Sequence, residues 1–263
     1  MNYNSIPTGH IQFASKIGVG TSSGTGFLFE HHGSVYLVSA RHCVYGNSSS
    51  SPLGDTIKCS TYRTNDGLVI GLHSFSIHLP DVPSENILSH GNNDIIGIKV
   101  ADLASSRTGR NMIFVAEYCV EDADNRIGGL NVAKFGRGAR SLEDICIGSD
   151  CVVVGYPVSI GMTPTPQLDF SKPLLRKGII AGENKSLGTI IIDCPVYPGN
   201  SGGPILEVHQ CGNHCNKLHY SVIGVVSERV SFAATTTVHG AAIGVTRENS
   251  GYGVVVPIQR LWS

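Results

Sequence analysis

The 263-residue sequence predicts an all-β protein. Short runs of β-branched residues recur between turn-forming residues, and no long stretch shows the 3.6-residue period of an amphipathic helix. Glycine is abundant, with 32 residues, and charged residues make up only 15% of the chain, in agreement with this class. The clearest runs are Leu68–Ile70, Cys151–Val154, Ile190–Ile192, Val222–Val226 and Val254–Val256.

The first two predicted strands lead to a histidine. Residues 27–29 and 35–39 are apolar runs joined by a polar turn at 30–34, which indicates a hairpin. His42 follows the second strand directly, so a rigid strand end can hold its imidazole at the surface. Five of the other ten histidines lie in turns or polar stretches, where solvated side chains are expected: His31, His32, His73, His78 and His90.

A carboxylate stands at the start of another predicted strand. Asp94 precedes the apolar run 95–100, and an acid placed there can be half buried and can fix the tautomer of an imidazole. Asp55, Asp81 and Asp102 are competitors, but none of them leads into so long an apolar run.

A serine lies among glycines in the segment 196–204, Val-Tyr-Pro-Gly-Asn-Ser-Gly-Gly-Pro. Glycine lets the backbone around Ser201 turn sharply and direct successive N–H groups into one space, as an acyl-transfer nucleophile requires. A plain hairpin turn is the simpler interpretation, but it predicts neither a histidine nor an acid elsewhere. The segment also fits the nucleophile elbow of α/β-hydrolases. That fold needs the order Ser, acid, His and a helix after the serine, and residues 202–204 disfavour a helix.

Together these motifs resemble the chymotrypsin-like, or trypsin-like, serine peptidases over about residues 15–260. The matching segments are 24–28, 38–43, 94–98 and 198–204, with further similarity at Asp193, 155–157, 177–180, 224–227 and 251–257. The order His, Asp, Ser is that of the family. The sequence is most similar to the bacterial branch of the high-temperature-requirement proteases, without their PDZ domain.

The resemblance implies two packed six-stranded Greek-key β-barrels with the active site in the cleft between them. We expect an N-terminal barrel at 1–110, a crossover at 111–140 and a C-terminal barrel at 141–263. The implied activity is a serine endopeptidase that forms an acyl-enzyme, with His42, Asp94 and Ser201 as catalytic triad. The backbone N–H groups of Gly199 and Ser201 would form the oxyanion hole.

By the same resemblance, residues 225–229 would pair with a protein or peptide substrate as an added strand. The expected substrate-binding residues are Pro195, Val196, Val226, Ser227, Glu228 and Val255. Pro195 carries no charge at the base of the pocket, which predicts a preference for small or medium aliphatic side chains. Asn200 stands where zymogens of the family carry an aspartate, so we expect control by substrate or by a regulatory protein partner rather than by trimming.

Composition argues against several other classes. The net charge of −1 gives no signature of nucleic-acid binding, and no apolar run approaches the roughly 20 residues of a membrane span. Residues 1–7 lack the pattern of a signal peptide, so either a leader has been removed or the protein stays in the cytosol; we expect a cytoplasmic protein.

Cysteine use agrees with that expectation. Secreted relatives pair the cysteine after the catalytic histidine with one near the first Gly-Thr-Gly strand, but residues 19–29 contain none to pair with Cys43, so reduced thiols are expected. The segment 209–219 holds three histidines and two cysteines, but its spacing departs from zinc knuckles, so a polar loop is favoured over a metal site. We expect no metal and no cofactor. The alternative function is a catalytically idle protein-binding module on the same fold.

Overall fold

The computed structural model describes residues 14–47, 50–65, 68–89, 93–106, 109–115, 117–121, 129–130, 132–134, 140–157, 172–210, 218–238 and 241–262. These residues form two units built almost entirely from strands, and all strand pairs are antiparallel except that of β11 with β2, so the predicted double β-barrel class is confirmed. None of the helices in this part of the chain is long and apolar enough to cross a membrane.

The first unit is a half-barrel sheet of eleven strands. They are β1 (Ala14–Val19), β2 (Ser22–His31), β3 (Ser34–Ser39), β4 (Thr56–Asn65), β5 (Leu68–His78), β6 (Ile87–Leu88), β7 (Ile96–Ser106), β8 (Gly109–Phe114), β9 (Cys119–Glu121), β10 (Gly129–Leu130) and β11 (Ala133–Lys134). The main path runs β6-β7-β3-β2-β1-β4-β5-β9. A single helical turn, α1 (His42–Tyr45), follows β3, and 3₁₀ turns lie at Leu79–Asp81 and Ser84–Asn86.

The second unit is a closed six-stranded barrel in the order β12-β13-β14-β17-β16-β15. Its strands are β12 (Asp150–Gly155), β13 (Leu174–Asn184), β14 (Thr189–Asp193), β15 (Pro204–Gln210), β16 (Leu218–Val238) and β17 (Ala241–Pro257). Two further 3₁₀ turns lie at Leu142–Asp144 and Ile258–Leu261.

The segment predicted as a crossover, 111–140, takes part in the first sheet. Most of β8 lies in it and pairs with β7, while β9, β10 and β11 pair with β5, β4 and β2. Residues 122–128 and 135–139 of this segment lie outside the described part. The domain boundaries at residues 110 and 140 stay a prediction.

An apolar cluster joins the two units, in addition to the core that each unit has of its own. Side chains alternate between the two faces of a strand, so Leu28 of β2 packs into the first core while Phe27 and Phe29 face the second unit. There they pack in one cluster with Val154 and Val256. Full burial of a side chain of this size stabilises the fold by about 1.5–3 kcal/mol. The cleft is therefore bounded by two units that are packed firmly together.

The expectation that His73 is solvated is wrong. His73 is fully buried, because it lies on the same inward face of β5 as Phe75 and Ile77. Its ring stacks on Phe114, and its Nε2 atom lies 3.3 Å from a carboxylate oxygen of Glu121.

Candidate active site

His42 and Asp94 meet because their strands are neighbours. Strand β3 pairs antiparallel with β7 and its last residue, Ser39, lies opposite the first residue of β7, Ile96. The residues that follow β3 and precede β7 therefore lie side by side. Asp94 accepts two hydrogen bonds from His42, one from the backbone N–H at 2.9 Å and one from Nδ1 at 2.7 Å.

The second unit supplies a third donor to Asp94. The Ser227 hydroxyl of β16 donates to Oδ2 of Asp94 at 2.6 Å. Burial lowers the pKa of His42, but the hydrogen bond to Asp94, together with the neighbouring Cys43, outweighs this effect and raises the pKa to about 10. With Nδ1 engaged by the carboxylate, Nε2 is the ring nitrogen available for chemistry. The Cys43 thiol lies 3.7 Å from that Nε2.

Ser201 lies in a turn that depends on its glycines. Gly199 and Gly202 have φ values of 92° and 79°, the left-handed region that favours glycine. A Cβ at Gly202 would lie 2.1 Å from both the Ser39 hydroxyl and the Thr25 carbonyl oxygen, so no larger residue fits there.

The amides of this turn alternate in their use. The N–H of Asn200 donates to the Tyr197 carbonyl at 2.9 Å, and that of Gly202 donates to Val226 at 2.7 Å. Within the described ranges, the N–H groups of Gly199 and Ser201 have no acceptor. Two unengaged amides, that of Ser201 itself and that of Gly199 two residues before it, are the kind of donors that an oxyanion requires.

Thr25 of β2 reaches across from the first unit and holds this turn. Its hydroxyl donates to the Gly199 carbonyl at 2.7 Å and accepts from the Tyr156 N–H at 2.9 Å. Its own N–H donates to the Ser201 carbonyl at 2.9 Å. Thr25 is fully buried, so these bonds fix the Gly199–Asn200 and Ser201–Gly202 peptide groups against the first unit.

A cavity of about 970 Å³ lies between the units. Among the residues that line it are Arg41, His42, Asn93 and Asp94 from the first unit, and 196–198, Ser201 and 227–229 from the second. The structure thus brings His42, Asp94 and Ser201 to the wall of one cleft.

The predicted pocket residues divide into two groups. Val196, Ser227 and Glu228 line the cavity, whereas Val226 and Val255 are fully buried in the core of the second barrel. The reason is strand alternation: Val226 points inward where its neighbour Ser227 points to the cleft. Pro195 is half-buried and does not reach the cavity wall. The preference for aliphatic substrates stays a prediction.

Two features of the site escaped sequence reasoning. The hydrogen bonds of the Thr25 hydroxyl could not be predicted from the sequence, although the Gly-Thr-Gly motif marks the segment that contains it. The position that faces Cys43 is Gly24, where a Cβ would lie 2.8 Å from the Cys43 sulfur. Glycine there leaves Cys43 without a disulfide partner, and the six cysteines within the described ranges are all free thiols.

The predicted polar loop at 209–219 lies only partly in the described part of the structure. His209 and His219 face each other across β15 and β16, with ring centroids 5.7 Å apart, while residues 211–217 fall outside the described ranges. Among described residues, no group of three or more His, Cys, Asp or Glu side chains is arranged to hold a metal ion.

A double β-barrel with a His, an Asp and a Ser at the cleft between the barrels is the arrangement of the chymotrypsin-like class. The family model described as a trypsin-like peptidase domain matches residues 24–212, more than half of the chain. The chain therefore belongs to the trypsin-like peptidase family. A search of curated proteins found no match.

Solved structures similar to this chain include two proteases. An HtrA-type protease AlgW with tripeptide is 15% identical with a TM-score of 0.46; the match covers 95% of this chain and 57% of that one. A serine endoprotease from Yersinia pestis is 14% identical with a TM-score of 0.45, and the corresponding shares are 95% and 61%. The chain thus spans about three fifths of the length of these proteins.

Proposed function

We propose that the protein is a serine endopeptidase that cleaves peptide bonds through an acyl-enzyme. Ser201 Oγ attacks the carbonyl carbon, and Nε2 of His42, in the neutral form of the imidazole, takes the hydroxyl proton and then delivers it to the leaving amine. Because the pKa of His42 is raised to about 10, the share of this neutral form increases as the pH rises toward 10. Asp94 orients the imidazole and stabilises its protonated form. The N–H groups of Gly199 and Ser201 stabilise the charge on the carbonyl oxygen.

The observation that carries this proposal is the set of three hydrogen bonds that Asp94 accepts. Its two bonds to His42 hold the ring with Nε2 directed away from the carboxylate, and the Ser227 hydroxyl fixes the carboxylate in turn. A carboxylate that holds an imidazole by Nδ1 next to a cavity that also contains Ser201 has the components of a general base and its nucleophile.

The way in which activity is controlled is also a proposal. The hydrogen bonds of Thr25 hold the peptide groups around Ser201 in place. This supports a site that reaches its working shape without the new N-terminus that trimming would create. Asn200 is buried, and its side-chain oxygen has no hydrogen-bond partner among the described residues. We propose that substrate or a regulatory partner controls access to the cleft.

Covalent labelling with a fluorophosphonate tests the proposed nucleophile. We expect one adduct on Ser201, its loss in Ser201→Ala, and at least a 10³-fold slower reaction in His42→Ala. His78→Ala is the matched control, because Nδ1 of His78 also lies 2.7 Å from a carboxylate, that of Asp81, but on the surface.

Hydrolysis of an unfolded protein substrate is then followed by mass spectrometry. Cleavage that survives in Ser201→Ala, or labelling on another serine, would show that the assignment is wrong. Absence of both labelling and cleavage would favour the binding-module alternative, because an idle site has no activated serine.

A further inference from the structure

The hairpin of β16 and β17 extends well beyond the second barrel. These are the longest strands of the described chain, at 21 and 17 residues. Strand β16 pairs with β15 only from residue 218 to residue 225, and beyond the turn at Ser201 its only partner within the described ranges is β17. The paired segments 231–238 and 241–249, hereafter the arm, therefore project from the barrel by about 25 Å at 3.2–3.4 Å per residue.

The arm leaves apolar surface and backbone groups open to a partner. Phe232 and Val245 are 49% and 67% exposed. A two-stranded ribbon has two unpaired edges, and proteins protect such edges with charged side chains, above all lysine, with proline or with bulges. Residues 231–249 contain no lysine and no proline. Their charged residues are Arg247 and Glu248, so the arm suits an uncharged, extended chain.

The position of the free edge identifies its occupant. On the edge of β16 that faces away from β17, Val226 is the last hydrogen-bonded residue before the cleft. Its N–H donates to the Gly203 carbonyl at 2.9 Å, and its carbonyl accepts from the Gly202 N–H. The next three residues, 227–229, line the cavity that contains Ser201. A strand added along the free edge of the arm therefore leads toward the cleft, across the register shift between Arg229 and Ser231.

We propose that the arm is a docking edge for the substrate residues that precede the cleaved bond, which makes long, extended, uncharged segments of unfolded polypeptide the preferred substrates. This inference rests on the proposed peptidase function. Antiparallel addition to β16, the more stable mode of pairing, places the N-terminal part of the substrate along the arm and its cleaved bond at Ser201. Segment 231–238 offers pairing to about eight residues beyond those held at the cleft, with Phe232 as an apolar contact.

A series of peptides of different lengths that share one cleaved bond tests this proposal. The bond is first identified by mapping the cleavage sites in an unfolded protein. Extension by eight Thr, Val or Ala residues on the N-terminal side is expected to raise kcat/KM at least tenfold over the short peptide. The same extension on the C-terminal side, or an N-terminal one with N-methylated residues, is the control and gives less than a twofold gain.

Two arm variants complete the experiment. Replacement of residues 232–248 by Asn-Gly removes the arm, and Phe232→Ser keeps it but removes the apolar contact. We expect the first to abolish the length effect and the second to reduce it, while both cleave the short peptide at the wild-type rate and label normally at Ser201.

Several outcomes separate this inference from the proposed function. No gain on N-terminal extension, an equal gain on C-terminal extension, or an arm deletion that changes the oligomeric mass but not the length effect would overturn the docking edge alone. Absence of labelling and cleavage would overturn the peptidase proposal. The docking edge is then decided by fluorescence anisotropy on Ser201→Ala, where the long peptide should bind at least tenfold more tightly than the short one.

Discussion

Replacing Thr25 by valine would test whether the first unit shapes the site of the second. Valine keeps the shape of threonine but removes the hydroxyl, so the buried Gly199 carbonyl and Tyr156 N–H both lose their partner. A buried backbone group left unsatisfied costs about 1–3 kcal/mol, which for two groups gives roughly 2–6 kcal/mol of unfolding free energy. If loss of the bond at the Gly199 carbonyl also turns the Gly199 N–H away from the cleft, kcat falls by about 10²–10³, the effect of losing one oxyanion donor.

Urea unfolding measures the first effect, and hydrolysis of the short peptide measures the second. We expect kcat to fall with little change in KM, because the proposed substrate-binding edge at 227–229 is untouched. Thr25→Ser is the control, since it keeps the hydroxyl and should retain most of the activity. A Thr25→Val protein that is destabilised but has the wild-type kcat would refute the positioning argument, and one that is unaffected in both would refute the reasoning altogether.

Two more predictions concern the surroundings of His42. The pKa of about 10 for His42 lies above the value of 6.5 in the unfolded chain, so its contribution to stability is complete below pH 6.5 and is lost as the pH rises through 10. Urea unfolding between pH 6 and pH 10 should show this decline, and His42→Ala should lack it; an equal decline in both would contradict the assignment. Gly24→Cys should form a disulfide with Cys43 under oxidising conditions, because the added Cβ would lie 3.4 Å from the Cys43 Cβ, close to disulfide geometry. Thiol titration of the oxidised protein should show two thiols fewer than after reduction. Closing the 20-residue loop should raise the free energy of unfolding by about 3 kcal/mol, and an unchanged thiol count on oxidation would exclude the bond.

Local patterns in the sequence were enough to predict the central residues of several strands, among them β2, β3, β7 and β12, and to select His42, Asp94 and Ser201. Each of these residues lies directly beside a strand or between glycines, so its place depends on its immediate neighbours. The pairing of the end of β3 with the start of β7 then brings His42 to Asp94 without any further specification.

The side of the strand on which each pocket side chain lies could not be predicted in the same way. Whether Val226 or Ser227 points to the cleft depends on the exact register of β16 against β17, and a bulge interrupts that register between residues 226 and 228. A shift of one residue exchanges the two faces of a strand. Composition alone therefore cannot separate residues that line the cavity from those that fill the barrel.

The contacts that join the two units were even less accessible, because they connect distant parts of the chain. Thr25 and Gly199 are 174 residues apart, and Asp94 and Ser227 are 133 apart. These two bonds run in opposite senses: the first unit holds the serine turn of the second, while the second unit holds the carboxylate of the first. The candidate site is therefore a property of the packed pair, and neither unit by itself contains a complete set of positioned groups. These two hydrogen bonds lie beside the shared apolar cluster of Phe27 and Phe29. Substitutions that loosen the cluster are therefore expected to lower activity as well as stability.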